Sequence, residues 1–372
     1  MMSASSYLKL LLVLLLGLLT LVLLSNWYLD PMISYHRPFV DIGYSDNQRY
    51  QTPGLARNLD YEACFIGTSK TENHSAERMS KLTGEQVLML PVAGSTIREQ
   101  YELVQVALRN GKPKRVYWEM NYGSISAGER INDGSVAFPH HMYRLSATTI
   151  SKYLLSTDTL REAVRGLAGH RHDDLESLHL WTRNYDYSEQ RLEQAWNHVA
   201  QRWTPALREQ WDAVRLHSSA ELSMIMQRYI ESVLSKHPEV EFELILLPSS
   251  KRYYLSDFLI APNRSALRMA MRRQLADWLL QHDNLTVHDL QLYADYMRAA
   301  HYKDLDHYEP EINARIEADL ASGRFVVNSR QLQDNTDSLQ QLVESELESF
   351  CSQRECPAAL QAARTDLQQL YD

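Results

Sequence analysis

Five short apolar runs, at residues 61–66, 86–92, 115–120, 241–248 and 285–290, constrain this chain more than any other feature. Amphipathic stretches such as 97–110, 265–282 and 309–320 lie between or after them. Short apolar runs alternating with helical spacing predict a parallel sheet covered on both faces, a three-layer αβα arrangement. The alternation pauses over 122–238, where 156–169, 188–217 and the stretch beginning at Ser219 carry charged and apolar residues at helical spacing. A helical insertion is expected there. The α/β domain is expected over 61–330, followed by polar C-terminal helices at 335–351 and 357–370 within 331–372. At 372 residues and 44% hydrophobic, the chain can bury a core of that size.

The amino terminus bears on location. Residues 10–24 are aliphatic except for Gly17 and Thr20, and residues 27–29 extend the run to about bilayer length at ~20 residues. Lys9 precedes the run and Asp30 follows it, with Trp27 and Tyr28 expected at the far interface. A cleaved signal peptide has an apolar region of ~7–15 residues and small residues at its cut site, which Ser25-Asn26-Trp27 does not supply. Residues 1–29 are therefore expected to anchor the chain in the inner (cytoplasmic) membrane as a single pass. The body would face the periplasm or extracellular side. Residues 30–60, with Pro31, Pro38 and Pro53, read as a tether. A net charge of -9 offers no basic stripe for phosphates, which excludes nucleic acid as a partner. Of the three cysteines, Cys351 and Cys356 are able to pair in an oxidising compartment, while Cys64 in the first run reads as a buried, inert thiol.

Open parallel sheets bind ligands beyond the carboxyl ends of their strands. Those ends carry Gly67-Thr68-Ser69, then Gly94, then Asn121, and finally Asp304-Leu305-Asp306-His307. Gly67 is expected to permit a tight turn, and a helix over 71–82 to offer N–H groups beside Ser69. A hydroxyl nucleophile, a backbone donor, an amide donor and an Asp–His pair are the parts acyl transfer needs. Each part also has an ordinary reading: a helix cap for Ser69, a turn for Gly94, a loop cap for Asn121. Asp306 is the rival acid for orienting His307, and Lys70 a possible attraction for an anionic substrate. The run from His170 to Asp174 lacks a second cluster at metal spacing and reads as a solvated loop. Tyr293, Tyr296, Tyr302 and Tyr308 read as core more readily than as a sugar-stacking platform.

FIGTSKTEN, VAGSTIREQ, WEMNYGS and YKDLDHYEPEIN together resemble the blocks of the SGNH (GDSL-like) hydrolase superfamily. More narrowly, they resemble its membrane-anchored, cell-envelope members, such as the D-alanyl transfer protein of the teichoic-acid pathway and the alginate acetylation proteins. The resemblance covers about 61–121 and 241–316. It implies a flavodoxin-like sheet with Ser69 as nucleophile, His307 as base and Asp304 as its orienting acid. Backbone N–H groups of Ser69 and Gly94 and the amide of Asn121 would form the oxyanion hole. Two departures stand out: Gly-Thr-Ser replaces Gly-Asp-Ser, and the third block keeps only Asn121 of Gly-x-Asn-Asp. The implied function is a serine acyltransferase or esterase for O-acyl groups, foremost O-acetyl, on an envelope or extracellular polysaccharide. It needs no metal or other cofactor, and in such systems a multi-pass membrane O-acyltransferase supplies the donor step. The alternative is a non-catalytic subunit that keeps the fold and binds glycan or scaffolds a modification complex. A plain carboxylesterase is a third possibility.

Overall fold

The computed structural model describes residues 3–109, 113–131, 137–178, 185–202, 216, 218–260 and 262–353. The five apolar runs form β1 (Ala63–Gly67), β2 (Val87–Pro91), β3 (Arg115–Glu119), β4 (Glu241–Leu246) and β5 (Leu285–Asp289). These pair in parallel in the order β2-β1-β3-β4-β5, so their carboxyl ends share one edge. A sixth strand, β6 (Val326–Val327), adds antiparallel to β5. Two residues are too few to show a strand period, so this strand was not expected.

Both faces of the sheet are covered, since β1 and β2 are buried at every position. On one face Phe65, Met89, Tyr117 and Ile245 cluster with Met79 of the helix Ala76–Thr83 and with Ile312 and Ile316 of the helix Pro310–Ser322. Neighbouring strand residues point to opposite faces. Trp118 accordingly turns the other way and donates its indole N–H to Gln100 of the helix Ile97–Arg109 at 2.8 Å. A buried ring with its one polar atom satisfied fixes that helix against the sheet.

The chain divides into two compact units. The sheet unit comprises described residues 61–101, 113–131 and those from 185 onward; the anchor unit comprises 3–60, 102–109 and 137–178. Most of the inter-strand stretch between β3 and β4 is helical where it is described. The helix over 357–370 and the pairing of Cys351 with Cys356 fall outside the described residues. Cys64 is buried, and burial pushes its thiol well above the usual range.

In the anchor unit, the helix Ala4–Leu29 is long and apolar enough to cross a membrane. Residues 30–60 are folded instead of extended as a tether, and they contain the helix Gln48–Asn58. Asp30 organises them. Its buried carboxylate accepts from the backbone N–H groups of Ser34 (2.9 Å), Tyr35 (2.7 Å) and His36 (3.1 Å), and from the Tyr153 hydroxyl at 2.8 Å. Arg57 donates to the carbonyls of Ser34 at 3.0 Å and Met142 at 2.8 Å. Arg171 donates to the Pro31 carbonyl at 2.7 Å and to Gln51 at 2.9 Å, and Tyr44 bridges to His172. The stretch from His170 to Asp174 is thus a clamp and not a merely solvated loop.

Candidate active site

Ser69 stands two residues past β1, in a 3-10 turn over Ser69–Thr71. The α-helix that follows begins only at Ala76, with Ser75 as its cap accepting from the Arg78 N–H. The helix therefore begins about one turn and a half after the expected start at Thr71. Asn73 and His74 explain the delay: both are buried, and His74 pairs with Glu317 at 3.1 Å, which holds the segment out of helical geometry.

Gly67 serves a different purpose from the turn expected of it. Its φ lies outside the left-handed region, but a Cβ there would come within 2.4 Å of Thr71 and 2.6 Å of the Glu119 carboxylate. Glycine is needed for space. Glu119, buried at the end of β3, accepts from the Thr68 N–H at 2.6 Å, from the Thr68 hydroxyl at 2.9 Å and from the Asn121 amide at 3.1 Å. One carboxylate thus fixes the loop carrying Ser69 and the side chain of Asn121 together. Asn121 is also the cap expected of it, accepting from the Gly123 N–H at 2.8 Å. That bond uses the amide oxygen and leaves the nitrogen as the donor end.

After β5, Tyr302 and Tyr308 bridge to close the neck of a short loop, and the Lys303 N–H donates to the His307 carbonyl at 3.1 Å. Both tyrosines are buried, as is Tyr296, which accepts the Tyr302 hydroxyl on its carbonyl at 2.8 Å. They are core. Ser250 donates its hydroxyl to the Leu305 carbonyl at 2.6 Å and pins the loop tip to the end of β4.

On this loop the His307 Nε2 lies 2.8 Å from Ser69 Oγ, although the two residues are 238 positions apart. Nδ1 faces the Asp304 carboxylate at 2.9 Å and 3.0 Å. Asp304 also accepts the N–H groups of Asp306 at 2.9 Å and His307 at 2.8 Å. Burial works to raise its pKa, but the His307 hydrogen bond and charge, with those two N–H groups, outweigh it and bring it down to about 2. Asp304 is therefore the acid beside the imidazole. Asp306 is committed elsewhere, pairing with Lys70 at 3.0 Å and accepting from Ser249. Lys70 also donates to the Pro248 carbonyl at 2.6 Å. Its ammonium is almost fully buried, so it fastens three strand-end loops and offers no attraction to a substrate.

Ser69, Gly94, Asn121 and His307 border one open recess of about 280 Å³ with Ser95, Thr96, Ser124 and Arg130. Gly94 has a left-handed φ of 62°, which accounts for a glycine there, and it is exposed. Thr96 and Glu99 bond reciprocally in a capping box at the start of the adjoining helix. Ser69, Gly94, Asn121 and His307 thus face one space, with Asp304 on the far side of the imidazole and outside the recess lining. The positioning roles of Glu119 and of the Lys70–Asp306 pair escaped the sequence; the one signal was a glutamate directly after the apolar residues Val116, Tyr117 and Trp118.

With Nδ1 protonated toward Asp304, Nε2 is the acceptor for the Ser69 proton, and the hydroxyl is set up for nucleophilic attack. Among the described residues no group of histidine, cysteine and acidic side chains forms a metal cluster. Comparison of the chain with protein-family models, with curated proteins and with solved structures returned no match.

Proposed function

We propose that this chain is a membrane-anchored serine acyltransferase or esterase of SGNH type, acting on O-acyl groups, foremost O-acetyl, of an envelope or extracellular polysaccharide. The observation that carries the reading is the continuous chain from Ser69 Oγ through His307 to Asp304. His307 removes the serine proton as Ser69 attacks the acyl carbonyl, and later returns it to the leaving oxygen. Asp304 holds the tautomer. The N–H groups of Ser69 and Gly94 and the Asn121 amide are assigned to the oxyanion. The strand order β2-β1-β3-β4-β5 supports the flavodoxin-like architecture of that superfamily.

The recess supports a short acyl group on a polar acceptor. Its lining is mostly hydroxyls and glycines with Ala127, Asn121, His307 and the charged Asp306 and Arg130, and among the described residues no large aliphatic side chain lines it to hold a fatty chain. Arg130 puts a positive charge at the same recess. The helix Ala4–Leu29 supports membrane anchoring; the reading places the body on the periplasmic or outer side from Lys9 ahead of the apolar run, and takes a multi-pass O-acyltransferase as the donor partner.

One observation favours the second reading, a non-catalytic glycan-binding or scaffolding subunit. The Asn121 amide is already engaged by Glu119, and no acidic residue follows it to complete the third block. Intact-mass spectrometry after incubation with p-nitrophenyl acetate separates the two. Catalysis requires an acetyl adduct on the wild-type protein that is absent in Ser69→Ala and His307→Ala. If wild type and both variants are equally unlabelled, with nitrophenol release no faster than background, the scaffold reading replaces the enzyme.

A further inference from the structure

If the helix Ala4–Leu29 spans a membrane, as the proposal above reads it, its depth is set by its own sequence. Lys9 marks one headgroup layer, and ~30 Å of hydrocarbon at 1.5 Å per residue carries the far boundary to about Leu29. Residues 3–21 are exposed along the whole helix surface, yet Val22, Leu23 and Ser25 are half-buried and Asn26 is fully buried. The anchor unit therefore begins to cover the helix one to two turns inside that boundary.

Asn26 shows what the covering does. Its amide donates to the carbonyls of Leu154 and Ser156, each at 2.9 Å. An amide nitrogen facing hydrocarbon without a partner is costly, and protein backbone brought down to its depth relieves it here, while the Asn26 Oδ1 is buried without a hydrogen-bond partner among the described residues. Leu155, between those two carbonyls, is 43% exposed. On the same helix end, Phe39 is 58% exposed and stacks on Tyr28 at 5.4 Å, with Trp27 at 5.7 Å. His36 holds this loop back against the helix: its Nε2 is 2.6 Å from the Trp27 carbonyl, and its ring lies 4.5 Å from Phe39. Asp30, with its four hydrogen bonds, makes helix end and loop one piece. Exposed aromatic rings beside the end of a spanning helix suit the headgroup layer, where one face is apolar and the edge is wet.

We propose that the anchor unit is sunk into the membrane surface, with the 154–156 turn and the Phe39 loop seated in the lipid interface around Trp27 and Tyr28. The bilayer is then a lateral binding partner of the folded body as well as the medium crossed by the helix. The consequence is a fixed height and tilt for the anchor unit, with no free tether above the membrane.

The test uses the full chain in nanodiscs of phosphatidylethanolamine and phosphatidylglycerol, with p-benzoylphenylalanine placed in turn at Leu14, Phe39, Leu155 and Arg161. After illumination, lipid adducts are located by mass spectrometry. The expected result is adducts at 14, 39 and 155 and none at 161, whose native guanidinium pairs with Asp158 at 2.7 Å. Adducts at 14 without adducts at 39 and 155 overturn the embedding while leaving the span intact. No adduct at 14 removes the span and the embedding together. Equal labelling at 161 shows general surface adsorption and also overturns the proposal.

Discussion

Asp30 and Asp304 are built alike, each a carboxylate that gathers the N–H groups of the few residues after it. The difference lies in what else each one holds. Beyond Asp30 stands the Tyr153 hydroxyl, which burial and the Asp30 charge hold well above its ordinary pKa, and beyond that the Met32 N–H. That chain ends in backbone and moves no proton. Beyond Asp304 stands an imidazole, and beyond it a hydroxyl facing an open recess. The same turn chemistry serves as a staple in one unit and as a candidate site in the other, and the difference is the next group: a phenol closed onto backbone in the first, an imidazole facing a hydroxyl in the second.

Breaking the second chain should have the largest effect. Ser69→Ala is expected to abolish the acetyl adduct and to lower ester turnover on the order of 10⁴-fold or more, followed by nitrophenol release. Asp304→Asn should come near it, at roughly 10⁴-fold, through loss of the correct tautomer. Asn121→Ala should cost about 10²–10³-fold in kcat with KM little changed, if its amide meets the oxyanion. A change in KM alone would assign it to ground-state binding.

Breaking the first chain should affect stability and leave chemistry alone. Asp30→Ala is expected to lower unfolding free energy by about 2–3 kcal/mol, since backbone donors lose a charged acceptor. Adduct formation per folded molecule should match wild type. Acid separates the two further. The folded pKa of Asp304 is depressed to about 2, so its contribution to stability is complete above its unfolded value near ~4 and is lost as pH falls toward 2. The gap in melting temperature between wild type and Asp304→Asn should therefore be full at pH 5 and shrink across that window. Tyr153→Phe should give the smallest effect, about 1 kcal/mol, because Asp30 keeps its three backbone donors.

The sheet was legible because its strands are short, apolar and spaced by helices, and the residues at their ends were legible because that edge is where ligands bind. The geometry joining Ser69, His307 and Asp304 was not legible from strand adjacency, because β3 and β4 lie between β1 and β5 and the loop after β5 reaches back to Ser69. What escaped the sequence was mostly polar and buried. Asp30, Gln51 and Thr52 read as tether residues because polar chains are usually wet, yet all three are inside, with Asp30 partnered by Tyr153 and Gln51 by Arg171. Composition reports the polarity of a segment and not where its partners are. Glu119 and Lys70 were hidden for the same reason: each satisfies groups from distant segments, and no local pattern records that. Gly67 was picked out correctly as a glycine position, but the reason is the Glu119 side chain beside it.

The 238 positions between Ser69 and His307 also set a schedule. Contacts of such long range form late, because the intervening loop must be closed before they are rewarded. A growing chain therefore carries an idle alcohol at Ser69 through most of its synthesis. The hydroxyl–imidazole pair arises only after the final loop has been made and Lys70 has drawn the ends of β1 and β4 to it. Until then the Ser69 hydroxyl has no imidazole beside it.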